Sequence, residues 1–242
     1  MADSSINDTQ IKQKQRAIYN SPENFFNWSW PDVPRHQFLD ERNKAYDPNG
    51  ETSLIELDIS NVLETPYPAT IPAILARYIK VRTGETLSHS FNASGEVYYV
   101  LQGVGSSENA EDSVSWGSGD VFCFPGGNET NHRAQESAIL FCVTNEPLLA
   151  FENLRPPLHG KSKTETVHWP HSKIEKHLKT IYERPKTAET SGVSIQFSTP
   201  ATAPSRNTIP MINTAINTLE SGGDQRPHRH NGAAITLAIE GE

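Results

Sequence analysis

From residue 52 to about residue 146, short apolar runs alternate with turn signals. The runs are SLIELDIS, AILARYIKV, EVYYVLQG, VSWGSGD, VFCFP and AILFCVT. Runs of this length at this spacing predict an antiparallel sandwich or barrel. The flanks read differently. Residues 8–20 have the polarity of an exposed helix. Residues 21–50 are rich in Pro, Asn, Asp and aromatic residues without a sustained period, which predicts a loop-rich arm packed on a core through Phe25, Phe26, Trp28 and Trp30. Residues 147–190 break the strand pattern and contain HSKIEKHLKTIYE, a short helix in which Ser172 and Glu175 have capping-box spacing. Strand-like texture returns with VSIQF and the closing segment. The predicted organisation is an arm over 1–51, a first barrel over 52–146, a linker over 147–190 and the start of a second barrel over 191–242.

Composition narrows the function classes. The chain has 242 residues, 35% of them hydrophobic and 21% charged, enough to bury a sizeable core. A net charge of -8 argues against nucleic acid and against a basic membrane-binding surface. No apolar run is long enough to span a bilayer and the N-terminus lacks a signal-peptide core, so a cytoplasmic location is expected. Cys123 and Cys142 sit in the apolar runs VFCFP and ILFCV and read as reduced, buried strand residues.

Histidine placement brings in chemistry. Alternate residues of a strand share a face, so His228 and His230 in HRHNGAAITLAIEGE would point the same way and could grip one metal ion, with Arg229 turned to the other side. The stretch from Gly222 and Gly223 through His228, His230, Ala234 and Gly241 resembles the first metal motif of the cupin family, G-x5-H-x-H-x3/4-E-x6-G, with Ala234 in place of the glutamate. A second copy lies in the first barrel. GETLSHSFNASGEVYYVLQG places His89 at the first histidine position, Phe91 at the second, then Glu96 and Gly103. GDVFCFPGGNETNH resembles the second cupin motif, with Gly119, Pro125 and His132 in place and Glu136 where an asparagine is usual.

The resemblance implies an all-β bicupin built from double-stranded β-barrels of the jelly-roll type, with an N-terminal arm and a short linker helix. HRHNGAAITLAIEG is similar to a segment of gentisate 1,2-dioxygenases and of relatives that cleave salicylate and hydroxynaphthoate rings. Those enzymes also lack the motif glutamate and hold Fe(II) with three histidines. The implied activity is therefore cleavage of a hydroxylated aromatic acid with O2, with His228 and His230 as iron ligands. Imidazole ligands suit Fe(II) and leave positions open for O2 and a bidentate substrate. Arg229 is a candidate for the substrate carboxylate. In the first barrel His89, Glu96 and His132 would make a 2-His-1-carboxylate face compatible with Fe(II), Mn or Zn, unless Phe91 has filled the site. His168, His171 and His177 read as surface residues.

The second barrel begins only about 50 residues before Glu242. A cupin barrel needs more strands and a further histidine, so the second barrel is expected to be incomplete and the chain a fragment. AAITLAIEG should then leave apolar strand edges uncovered, favouring association with other copies. Three readings stay open: the ring-cleaving dioxygenase, a non-catalytic small-molecule-binding or scaffold bicupin, and a lyase or isomerase working from the first-barrel histidines.

Overall fold

The computed structural model describes residues 8–25, 32–156, 162–184, 193–219 and 232–241. Two compact units divide it, Met1–Asp32 and Val33–Glu242. In the first unit lie helix α1 (Asp8–Gln15) and the single turn α2 (Pro22–Phe25). Phe26, Trp28 and Trp30, expected to anchor the arm, lie outside the described residues.

The second unit opens with α3 (Leu39–Tyr46), β1 (Ser53–Glu56) and the turn α4 (Ser60–Leu63). Eight consecutive strands follow: β2 (Leu75–Val81), β3 (Thr86–Ser90), β4 (Gly95–Gln102), β5 (Val104–Asn109), β6 (Asp112–Gly117), β7 (Val121–Pro125), β8 (Glu129–Ala134) and β9 (Ala138–Thr144). Then come α5 (Glu146–Glu152), β10 (Val167–Trp169), α6 (His171–Tyr182), β11 (Val193–Phe197) and β12 (Thr214–Thr218). One sheet runs β1-β2-β9-β4-β7-β10 and another β3-β8-β5-β6, all antiparallel. The expected closed barrel is thus two facing sheets rather than one continuously bonded ring.

The core lies between these sheets. The six-stranded sheet sends in Ile79, Val81, Tyr98, Val100, Phe122, Phe124, Leu140 and Cys142, and the four-stranded sheet answers with Leu87, Val114, Trp116 and Ala134. The strands of the larger sheet are also covered on their outer face. Ala76, Tyr78, Ile139 and Phe141 pack under Ala45 of α3 and against Phe38, Ile235 and Leu237. Val121 packs with Ile174 and Leu178 of α6 and with Val193 and Phe197 of β11. Burial on both faces explains why these strands read as unbroken apolar runs. Cys123 and Cys142 are free and buried, as expected.

Four sequence expectations are corrected. The region read as a linker supplies β10, which pairs with β7 and extends the larger sheet. Ser172 is not the cap of α6: Pro170 is, without a side-chain bond, and the backbone N–H of His171 donates instead to Asp120 Oδ1 at 2.7 Å. The other oxygen, Asp120 Oδ2, meets His168 Nε2 at 2.9 Å, so His168 is a tie to the sheet and not a free surface histidine. Finally, residues 233–239 form no strand; Ile235 and Leu237 lie on the outer face of the larger sheet.

Candidate functional site: the polar centre of the first barrel

Strand register brings His89, Glu96 and His132 to one place. His89 on β3 and His132 on β8 sit in paired strands of the smaller sheet, Glu96 on β4 in the larger. Alternation on β3 and β8 turns both histidines inward, and they are 8% and 0% exposed. Their Nε2 atoms lie 2.9 Å apart. Behind His132, Ser107 Oγ stands 2.6 Å from Nδ1 and accepts the Trp116 indole N–H at 2.7 Å. The indole only donates, so the serine proton is free for His132 Nδ1. With the serine hydroxyl donating to Nδ1, His132 would carry its proton on Nε2, toward His89. Burial pushes the His89 pKa down to about 3, helped by the charge of Arg77, and holds His132 well below its usual value. Both rings are therefore neutral, as a shared single proton requires.

Glu96 is fully buried and turned to other partners. Tyr98, two residues on along β4 and so on the same face, donates its hydroxyl to Glu96 Oε2 at 2.5 Å. Thr130 Oγ1 donates to the same oxygen at 2.9 Å and accepts from Asn109 Nδ2 at 2.8 Å. Burial pushes the Glu96 carboxyl up to about 7 against the opposing pull of these two donors. Tyr98 Oη is 3.4 Å from His89 Nε2. Phe91 stacks on the His89 ring at 3.9 Å between centroids, and the Arg77 guanidinium stands 3.8 Å from the Phe91 centroid. Arg77 is itself buried and bonded to Glu146 Oε2 at 2.7 Å. Among the described residues, Glu96 Oε1, His89 Nδ1 and Arg77 Nε find no hydrogen-bond partner.

Two imidazole nitrogens 2.9 Å apart have the spacing of a hydrogen bond. Neighbouring ligands about 2.1 Å from one ion stand at a similar separation. The pair alone would accept either. A third donor is not assembled beside it: among the described residues no group of three His, Cys, Asp or Glu side chains is arranged to hold a metal ion. His228, Arg229 and His230 lie outside the described residues. Tyr98, Ser107, Trp116 and Thr130 went unnoticed in the sequence. The available signal was the period of two, which puts Tyr98 on the face of Glu96 and Ser107 on the inward face of β5.

No family profile matches the chain. A stretch of 81 residues is 32% identical to the 5-aminosalicylate 1,2-dioxygenase of a Comamonas species, covering 33% of this chain and 22% of that protein. Among solved structures, a single-residue variant of the salicylate 1,2-dioxygenase of Pseudoaminobacter salicylatoxidans superposes with a TM-score of 0.54 at 16% identity, covering 73% of this chain and 60% of that one. In each case the chain spans less than two thirds of the relative's length. No described helix is long and apolar enough to cross a membrane. The chain has an all-β jelly-roll fold, which it shares with a salicylate 1,2-dioxygenase, and one stretch of it is similar in sequence to a 5-aminosalicylate 1,2-dioxygenase.

Proposed function

We propose that the protein to which this chain belongs is an Fe(II)-dependent dioxygenase that opens the ring of a hydroxylated aromatic acid of the gentisate or salicylate type with O2, in the cytoplasm. The observation that carries this reading is the 32% identity to a 5-aminosalicylate 1,2-dioxygenase. The fold match to a salicylate 1,2-dioxygenase agrees with it. His228 and His230 are the side chains proposed to hold the iron, because residues at i and i+2 of an extended segment share a face. When bound, iron would orient substrate and O2 on neighbouring positions and carry electron density between them. The role proposed for the chain's own residues is to supply two imidazole ligands to that ion.

The test is an oxygen-electrode assay of the whole protein, loaded anaerobically with Fe(II), against gentisate, salicylate and 5-aminosalicylate. Oxygen uptake with at least one of them is expected, together with loss of uptake and of bound iron in His228→Ala/His230→Ala. Unchanged turnover in the double variant would remove these histidines from the mechanism. Absence of uptake with every hydroxylated aromatic acid tried would overturn the assignment.

A further inference from the structure

We infer that the first barrel is closed to metal: the Tyr98 hydroxyl, rather than a cation, joins the side chains that stand at its ligand positions. A cation shared by Glu96 and His89 would have to lie within about 2.0–2.2 Å of both donors. The Tyr98 oxygen holds that space, 2.5 Å from Glu96 Oε2 and 3.4 Å from His89 Nε2. Glu96 Oε2 is further committed to Thr130. His89 Nε2 is committed to His132, and its remaining nitrogen, Nδ1, faces away from that partner.

The surroundings favour the same outcome. His132 Nδ1 is held from behind by Ser107, which in turn accepts from the Trp116 indole. Phe91 occupies the position of a further ligand and stacks on His89. Arg77 adds a fixed positive charge across that phenyl ring, and a charge that disfavours a protonated His89 disfavours a divalent cation beside it for the same reason. A polar chain of indole, hydroxyl, two imidazoles, phenol and carboxylate fills the barrel where coordination chemistry would otherwise occur.

The inference is independent of the iron proposed at His228 and His230, and its test separates the two. The His228→Ala/His230→Ala protein is titrated with Co(II) and with Zn(II), gel-filtered, and assayed for retained metal, for cobalt d–d absorption and for its thermal transition. Retention of no equivalent and an unmoved transition temperature are expected, since a metal that bound the folded state would raise it. In otherwise wild-type protein, His132→Gln should leave metal content unchanged. A retained equivalent that disappears on adding His132→Gln, or a fall in metal content in the single His132→Gln variant with far-UV circular dichroism preserved, would overturn the inference. A retained equivalent that survives both His132→Gln and His89→Gln lies elsewhere and supports it.

Discussion

Ser107→Ala removes one hydroxyl from the centre of the barrel and strands two groups. Trp116 Nε1–H loses its acceptor at 2.7 Å and His132 Nδ1 loses its partner at 2.6 Å. Ser107 and His132 are fully buried and Trp116 is 3% exposed, so water does not replace the lost bonds. Each orphaned buried group costs about 1–3 kcal/mol, and the two together about 2–5 kcal/mol once relief from burying the serine hydroxyl is counted. Against a typical domain stability of roughly 5–15 kcal/mol this is a large fraction. Urea denaturation followed by far-UV circular dichroism measures it as a fall in midpoint at constant slope. A double-mutant cycle sharpens the reasoning. Trp116→Phe removes the indole donor in advance, so Ser107→Ala should cost less in that background. A loss below about 1 kcal/mol in the parent, or an equal loss in both backgrounds, would refute the claim that stranded partners carry the penalty.

Glu96→Gln tests the buried carboxyl. Its folded pKa of about 7 lies above the ordinary 4.5, so the folded state holds the proton more tightly than the unfolded chain. Stability from this group is intact below the ordinary value and falls as pH rises toward 7, by about 3 kcal/mol in all. The variant should lose that decline and exceed the parent in urea midpoint at pH 8; a parallel pH profile would contradict the linkage. His89 and His132, held neutral, bend the profile the opposite way at acid pH, so the comparison is between variant and parent. Gly105→Ala should destabilise by about 1–3 kcal/mol, read as a lower transition temperature. An added Cβ would fall 2.3 Å from the Arg133 carbonyl oxygen and 2.5 Å from the Trp116 ring, and the first of these is backbone.

The larger sheet was legible in the sequence because burial on both faces writes it as apolar runs: LARYIKV, VFCFP and AILFCVT became β2, β7 and β9. Of the smaller sheet only β6 was legible, through VSWGSGD. The strands TLSHS, VGSSEN and ETNHRA turn His89, Ser107, Asn109, Thr130 and His132 inward, so the polar centre erases the alternation that marks a half-buried strand. Motif spacing found the histidines that periodicity hid. It could not show that Tyr98 would stand between Glu96 and His89, because that depends on how β3, β4 and β8 face one another across two sheets. Helix α3 was missed for a related reason: LDERNKAY buries only Ala45, too little to leave an amphipathic stripe. Ser172 failed as a cap because Asp120, 51 residues before His171, supplies the acceptor.

The tie at Asp120 bears on how such a chain can be recombined. Asp120 accepts from Gly117 N, His171 N and His168, and so joins the β6–β7 turn to the segment beyond the last motif. Excising the barrel at its motif boundaries would take β10 from the edge of β7, uncover Cys123 and Val121, and leave Asp120 with one of its three donors. The piece that could be exchanged between relatives as a module therefore extends through α6 to Tyr182 and, by the packing of Val193 and Phe197 on Val121, into the β11–β12 hairpin. Barrel swaps joined at residue 146 would carry the histidines across and leave behind the strand and helix that complete the sheet holding them.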